Sequence, residues 1–190
     1  AARFTKTFID KANFEGITYQ AEAEGLPFQN DSIDFVYSTG VLHHTPNIAQ
    51  ALKEAFRVLM LGGTAKIGLY ATYSVMFMWY RLHAIIQGNL TKNTIDKWMN
   101  ANTEGSWQTE NRKNHWTKTY TKAQFTAMLN GAGFADVKMV QSPLQIKIIP
   151  IIGKIVTALL PRVIGDIRIG PMGGMLVATC HKKYPKIETE

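Results

Sequence analysis

Two groups of side chains in this sequence could do chemistry. The adjacent pair His43-His44 offers imidazoles that titrate near neutral pH and could take a proton from a reacting group. The run Glu22-Ala23-Glu24 is rich in acceptors: a carboxylate there could meet an exocyclic amine while a backbone N–H meets a ring nitrogen. Between them stands Ser38-Thr39-Gly40, where the glycine lets the backbone approach a ligand closely. The other histidines are weaker candidates. His115 lies in a polar stretch, and His83 and His181 read as structural or solvated. The single cysteine, Cys180, can form neither an internal disulfide nor a cysteine-based metal site. A zinc ribbon and a disulfide framework are thereby excluded, no metal site is expected, and a reducing, cytoplasmic setting is implied.

These residues must be positioned by ordinary globular elements, since 190 residues with 46% apolar and 18% charged side chains suit one domain. Residues 2–13 carry Phe4, Phe8, Ile9 and Ala12 at helical spacing. Ile17 to Ala21 predicts a short strand, and Ile33 to Tyr37 a second one that breaks at Ser38-Thr39-Gly40. Pro46-Asn47 opens a helix whose apolar positions recur from Ile48 to Leu59, and Gly62-Gly63 is its predicted end. Thr64 to Ala71 is strand again, residues 121–133 a helix, and Val137–Val140 and Met175–Cys180 the last strands. Alternating strands and helices predict an α/β fold with a mostly parallel, doubly wound sheet. Ligands of such sheets bind beyond the carboxyl ends of the strands, where the three candidate segments fall.

Two stretches interrupt the pattern, at residues 72–120 and 141–170. The first is too long for a plain loop and should carry helices of its own. Its segment Ser74 to Gln87 is apolar on most sides and reads either as core or as a lid over a lipophilic ligand, whereas Asn100 to Lys118 is polar and holds Trp107, His115 and Trp116.

The string A-E-A-E-G-L-P-F-Q-N-D-S-I-D-F-V-Y-S-T-G-V-L-H-H-T-P-N, followed by A-L-K-E-A-F-R-V-L-M-L-G-G-T-A-K-I, closely resembles class I S-adenosylmethionine-dependent methyltransferases of the small-molecule type. The resemblance covers residues 21–70, and N-G-A-G-F-A-D-V-K near residue 133 is similar to the family's turn into its penultimate strand. It implies that Glu22 stands where the family uses an acid against the adenine amino group, that Ala23 donates its N–H to the ring, and that Glu24 belongs to the same loop. Ser38, Thr39 and Gly40 correspond to the segment that lines the methionine moiety. The implied cofactor is S-adenosyl-L-methionine, and His43 and His44 are the candidate catalytic bases. Leu61 departs from the family's usual proline, which should loosen the turn at Gly62-Gly63.

The resemblance further implies strands three to seven of seven, the first two being absent, so that the chain is expected to be an incomplete domain that binds its cofactor weakly. The expected core is about residues 1–71 and 121–140 plus 174–183, with the two stretches above as insertions. The expected reaction is methyl transfer to a small, lipophilic acceptor, with a lipid, a quinone-like ring and a sugar all open. The alternative is a non-catalytic α/β module bound peripherally to membranes.

Charge bears on partners. Residues 1–90 carry seven basic and seven acidic side chains, whereas residues 91–190 carry fourteen and seven, so the +7 excess is C-terminal. Residues 144–165 are apolar with Lys147, Lys154 and Arg162 among them. Three charges, with Pro150 and Pro161 inside the segment and Pro143 just before it, oppose a membrane span, yet a surface helix on an anionic bilayer fits that pattern. Four tryptophans beside a basic half also suit single-stranded nucleic acid. The resemblance argues against it, because Ser38-Thr39-Gly40-Val41 replaces the proline-rich, aromatic-ended tetrad expected of base-amino methyltransferases.

Overall fold

The computed structural model describes residues 2–102, 118–145 and 168–183. Helix α1 (Ala2–Lys11) ends just before Asn13, which takes a left-handed φ of 56°. After it come strand β1 (Ile33–Thr39), a single 3-10 turn (Leu42–His44), helix α2 (Ile48–Val58) and strand β2 (Leu59–Tyr70). Helices α3 (Val75–Ile86) and α4 (Lys92–Asn102) follow β2. Helix α5 (Lys122–Gly131), strand β3 (Ala135–Gln141), the short pair β4 (Leu144–Gln145) and β5 (Arg168–Ile169), and strand β6 (Met175–His181) complete the order.

Four strands make the main sheet in the order β1-β2-β6-β3. β1 and β2 run parallel, joined by the crossover through α2, and β6 runs antiparallel to both β2 and β3. Three strands therefore point one way and β6 alone opposes them. The inner face alternates as a half-buried sheet requires: Ala65, Ile67 and Leu69 on β2 and Leu176, Ala178 and Cys180 on β6 are sealed against Leu52 and Ala55 of α2 and Phe125 and Leu129 of α5. Burial pushes the Cys180 thiol up to about 12, so it stays protonated and inert.

The helices start where their caps dictate. Asn47 Oδ1 accepts from the N–H of Gln50 at the head of α2, and Thr121 and Gln124 form a reciprocal capping box on α5. At the other end of α5, Gly133 turns at φ +103°, where a Cβ would strike the ring of Phe56 at 2.8 Å.

Three expectations are corrected. Residues 17–21 form no strand: the stretch makes no ladder with the described strands, and Ile17 and Tyr19 are exposed, because β-branched and aromatic residues become a strand only when a neighbour accepts their backbone groups. Helix α2 stops at Val58 rather than at Gly62-Gly63. The glycines instead sit in an irregular stretch of β2, where Ile33 pairs with Leu59 but Phe35 pairs with Thr64. Ser74 to Gln87 is helical but is not core, since only Phe77 and Ala84 of α3 are buried. Trp107, His115 and Trp116 and nearly all of 144–165 lie outside the described residues.

Candidate active site

The carboxyl ends of β1 and β2 lie side by side, with Thr39 paired to Gly68 and the Gly40 N–H donating to the Gly68 carbonyl at 3.2 Å. Gly68 is required there: a Cβ would come within 2.7 Å of the Thr39 methyl. Gly40 turns the chain at φ +79° and faces open space. The Thr39 hydroxyl is buried and finds no hydrogen-bond partner. Such an orphaned oxygen at a strand end beside an open glycine suits a ligand's polar group, because leaving it unmade costs about 1–3 kcal/mol.

The 3-10 turn places the two histidines differently. His43 is sealed from solvent, its ring centroid 3.7 Å from that of Tyr70 at the end of β2 and 4.0 Å from that of His44. Neither of its ring nitrogens has a partner. Burial, reinforced by His44, pushes its pKa down to about 3, so it is neutral at any ordinary pH. His44 is only partly buried and meets the Tyr70 ring edge-on at 5.9 Å.

The acidic loop is held against the same end of the molecule. The Gly25 N–H donates to the Glu22 carbonyl at 3.1 Å, closing a tight turn with Glu22 exposed and Ala23 packed on the core. Glu24 is already engaged: its Oε1 accepts from the N–H of Asn47, the cap of α2, at 3.2 Å. That bond brings the loop to the connection that follows β1. The next residues are gripped by α2, where Arg57 donates to the carbonyls of Leu26 and Phe28 and to Asn30 while forking onto Glu54, whose carboxylate also accepts the Leu26 N–H. The Arg57 bond holds the Glu54 carboxyl below its usual range. Sequence reasoning missed this grip, although the i, i+3 spacing of Glu54 and Arg57 was its signal.

A concavity of about 280 Å³ opens at the ends of β2 and β3, lined by Ala71, Tyr73, Tyr120 and Leu176 with Gln141 and Lys122 at its polar side. Gln141 is fixed by bonds from its Nε2 to the carbonyls of Tyr73 and Gly173. Among the described residues no cluster of His, Cys, Asp and Glu could hold a metal ion.

The basic residues of the C-terminal half are not all surface. Lys182 is buried, and its ammonium donates to the carbonyls of Phe56 and Arg57 at the end of α2, pairs with Asp31 at 2.8 Å and lies over the Phe56 ring. It is a helix cap, serving orphaned carbonyls.

Residues 2–67 match a family model described as a methyltransferase domain. A 2-methyl-6-phytyl-1,4-hydroquinone methyltransferase of rice chloroplasts (Oryza sativa subsp. japonica) is 40% identical over 57 residues, which are 30% of this chain and 16% of that protein. Among solved structures, a methyltransferase of Thermotoga maritima superposes with a TM-score of 0.59 at 17% identity over 93% of this chain and 68% of its own. The YcgJ protein of Bacillus subtilis gives 0.58 at 17% identity, over 97% and 79%. These two likenesses concern the fold. The similarity to a methyltransferase domain is thus carried by residues 2–67, about a third of the chain, and the fold is one that solved methyltransferases share.

Proposed function

We propose that the protein containing this chain moves the methyl group of S-adenosylmethionine to a small aromatic acceptor with a lipophilic substituent, a hydroquinone-like ring in particular. The observation that carries this reading is the bond from the Asn47 N–H to Glu24, which joins the Glu22–Gly25 turn to the segment after Thr39 and Gly40. Along that rim the exposed Glu22 carboxylate would accept the adenine amino group, the Ala23 N–H would face the ring, and Ser38, Thr39 and Gly40 would line the methionine half. When bound, the cofactor supplies a methyl already activated on a sulfonium. The protein's part is then orientation, and alignment of this kind is worth roughly 7–11 kcal/mol.

Where the acceptor must lose a proton, His44 is the group to take it, because its ring is partly open whereas His43 is buried and neutral. His43 packs between His44 and Tyr70 and positions the pair. The apolar concavity beside Tyr73 and Tyr120 would take the acceptor's lipophilic substituent. In this reading residues 1–71, 121–140 and 174–183 are the catalytic core and residues 72–120 and 141–170 shape acceptor choice. The hydroquinone class is favoured by the rice relative, together with Tyr73 and Tyr120 in the lining of the concavity.

The test is calorimetric titration of S-adenosylhomocysteine into the protein, followed by assay of labelled methyl transfer to alkylated hydroquinones. Micromolar binding and labelled product in the organic phase are expected. A folded protein that binds no S-adenosylhomocysteine would refute the reading, and binding without transfer to any hydroquinone would refute the acceptor.

A further inference from the structure

Helix α3 has two unlike flanks. On one, α4 packs against it: the Trp98 indole donates to Gln87 Oε1 at 2.7 Å and lies beside the rings of Tyr80 and His83. On the other, Met78, Leu82 and Ile85 follow one another at helical spacing with Trp79 and Ile86 alongside, all between 37% and 72% exposed. Single exposed apolar side chains are ordinary, but five bulky ones on one short helix form a patch. The patch is not a fraying end. Ser74 caps the helix, Phe77 and Ala84 anchor it, and Arg81 ties it down by donating to the Thr72 carbonyl and the Thr119 hydroxyl.

The charge along this stretch of the chain is one-sided, although Arg81 is tied to Thr72 and Thr119 and Lys92 is paired with Asp96. Among the described residues from 72 to 122 the basic side chains are Arg81, Lys92, Lys97, Lys118 and Lys122, against Asp96 alone. A soluble partner with an apolar face would not need that bias, but an anionic lipid surface would reward it, at about 1 kcal/mol for each lysine or arginine brought near. An aromatic such as Trp79 in the patch also suits the headgroup level, where amphipathic rings concentrate. A 12-residue helix is about 18 Å long, too short to cross a bilayer but long enough to lie in its interface. No helix among the described residues is long and apolar enough to cross a membrane.

We propose that the open flank of α3, with Trp79, Leu82 and Ile86 at its centre, docks on the interface of an anionic lipid bilayer. The inference does not depend on methyl transfer, because lipid binding requires neither cofactor nor turnover.

The test is sedimentation of the full chain with vesicles of phosphatidylcholine, alone and mixed with phosphatidylglycerol. Binding to the mixed vesicles, weakened by added salt, is expected. Replacing Trp79, Leu82 and Ile86 together by serine should weaken it at least about tenfold, with the helical signal unchanged. Should that variant fold poorly, Met78→Cys carrying a polarity-sensitive dye should shift to the blue on mixed vesicles. Absence of binding at low salt, undiminished binding by the folded triple variant, or an unshifted dye would overturn the proposal. So would a dimer in solution that the triple variant dissolves while vesicles are ignored, since the flank would then belong to a second copy.

Discussion

The imidazole of His43 and the phenol ring of Tyr70 lie 3.7 Å apart between centroids, with their planes 35° from parallel. The contact joins the turn after β1 to the end of β2 and keeps a neutral histidine wholly away from water. Its folded pKa, pushed down to about 3, lies below the ordinary 6.5 of an unfolded chain. Between those values the unfolded state binds a proton that the folded state refuses, so stability must fall as the pH drops through that window. The slope from this one group is up to about 1.4 kcal/mol per pH unit. His43→Phe, which keeps a ring against Tyr70, should flatten it. Urea unfolding at pH 7 and pH 5 checks this, and an unchanged slope in the variant would show that another group is responsible.

His44→Asn should lower methyl transfer to a protic acceptor by about 10²–10⁴-fold while leaving S-adenosylhomocysteine affinity alone. An acceptor supplied already deprotonated should restore much of the rate. Equal losses in His44→Asn and His43→Phe would place the base elsewhere.

Arg57→Lys should loosen the segment from Leu26 to Asn30, since an ammonium cannot reproduce the fork that holds Glu54 and two carbonyls at once. We expect a loss of about 1–3 kcal/mol in stability, faster proteolytic cleavage after Gly25 and weaker cofactor binding. Limited proteolysis followed by mass spectrometry would read the site of cleavage directly.

Lys182→Met keeps the aliphatic stem over Phe56 but strips two carbonyls of α2 of their donor and Asp31 of its partner. The expected cost is again about 1–3 kcal/mol, seen as a lower melting temperature. Asp31→Asn should cost less, because that carboxylate is half exposed. If the two variants melt alike, the ion pair rather than the helix cap is the important part.

Much of this was legible because periodicity and capping are local. Asn47 and Thr121 announced the starts of α2 and α5, and the run from Thr64 to Ala71 announced a strand. What escaped was settled at long range. Ile17 to Ala21 has the composition of a strand but no neighbour to pair with among the described strands, and composition cannot supply one. Lys182 caps carbonyls of α2 that lie more than a hundred residues away in sequence, a partnership that no local spacing announces. The candidate site divides the same way. Its turns were visible in the motif, whereas the contrast between a buried His43 and a partly open His44 depends on Tyr70, which the spacing of the two histidines could not reveal.

Because β6 lies between β2 and β3 in the sheet, β3 leaves the ribosome with no strand ready to receive it. Until β6 follows, both β3 and one side of β2 present bare backbone to the cell. A pause in translation within the intervening stretch would prolong that interval and with it the nascent chain's dependence on chaperones.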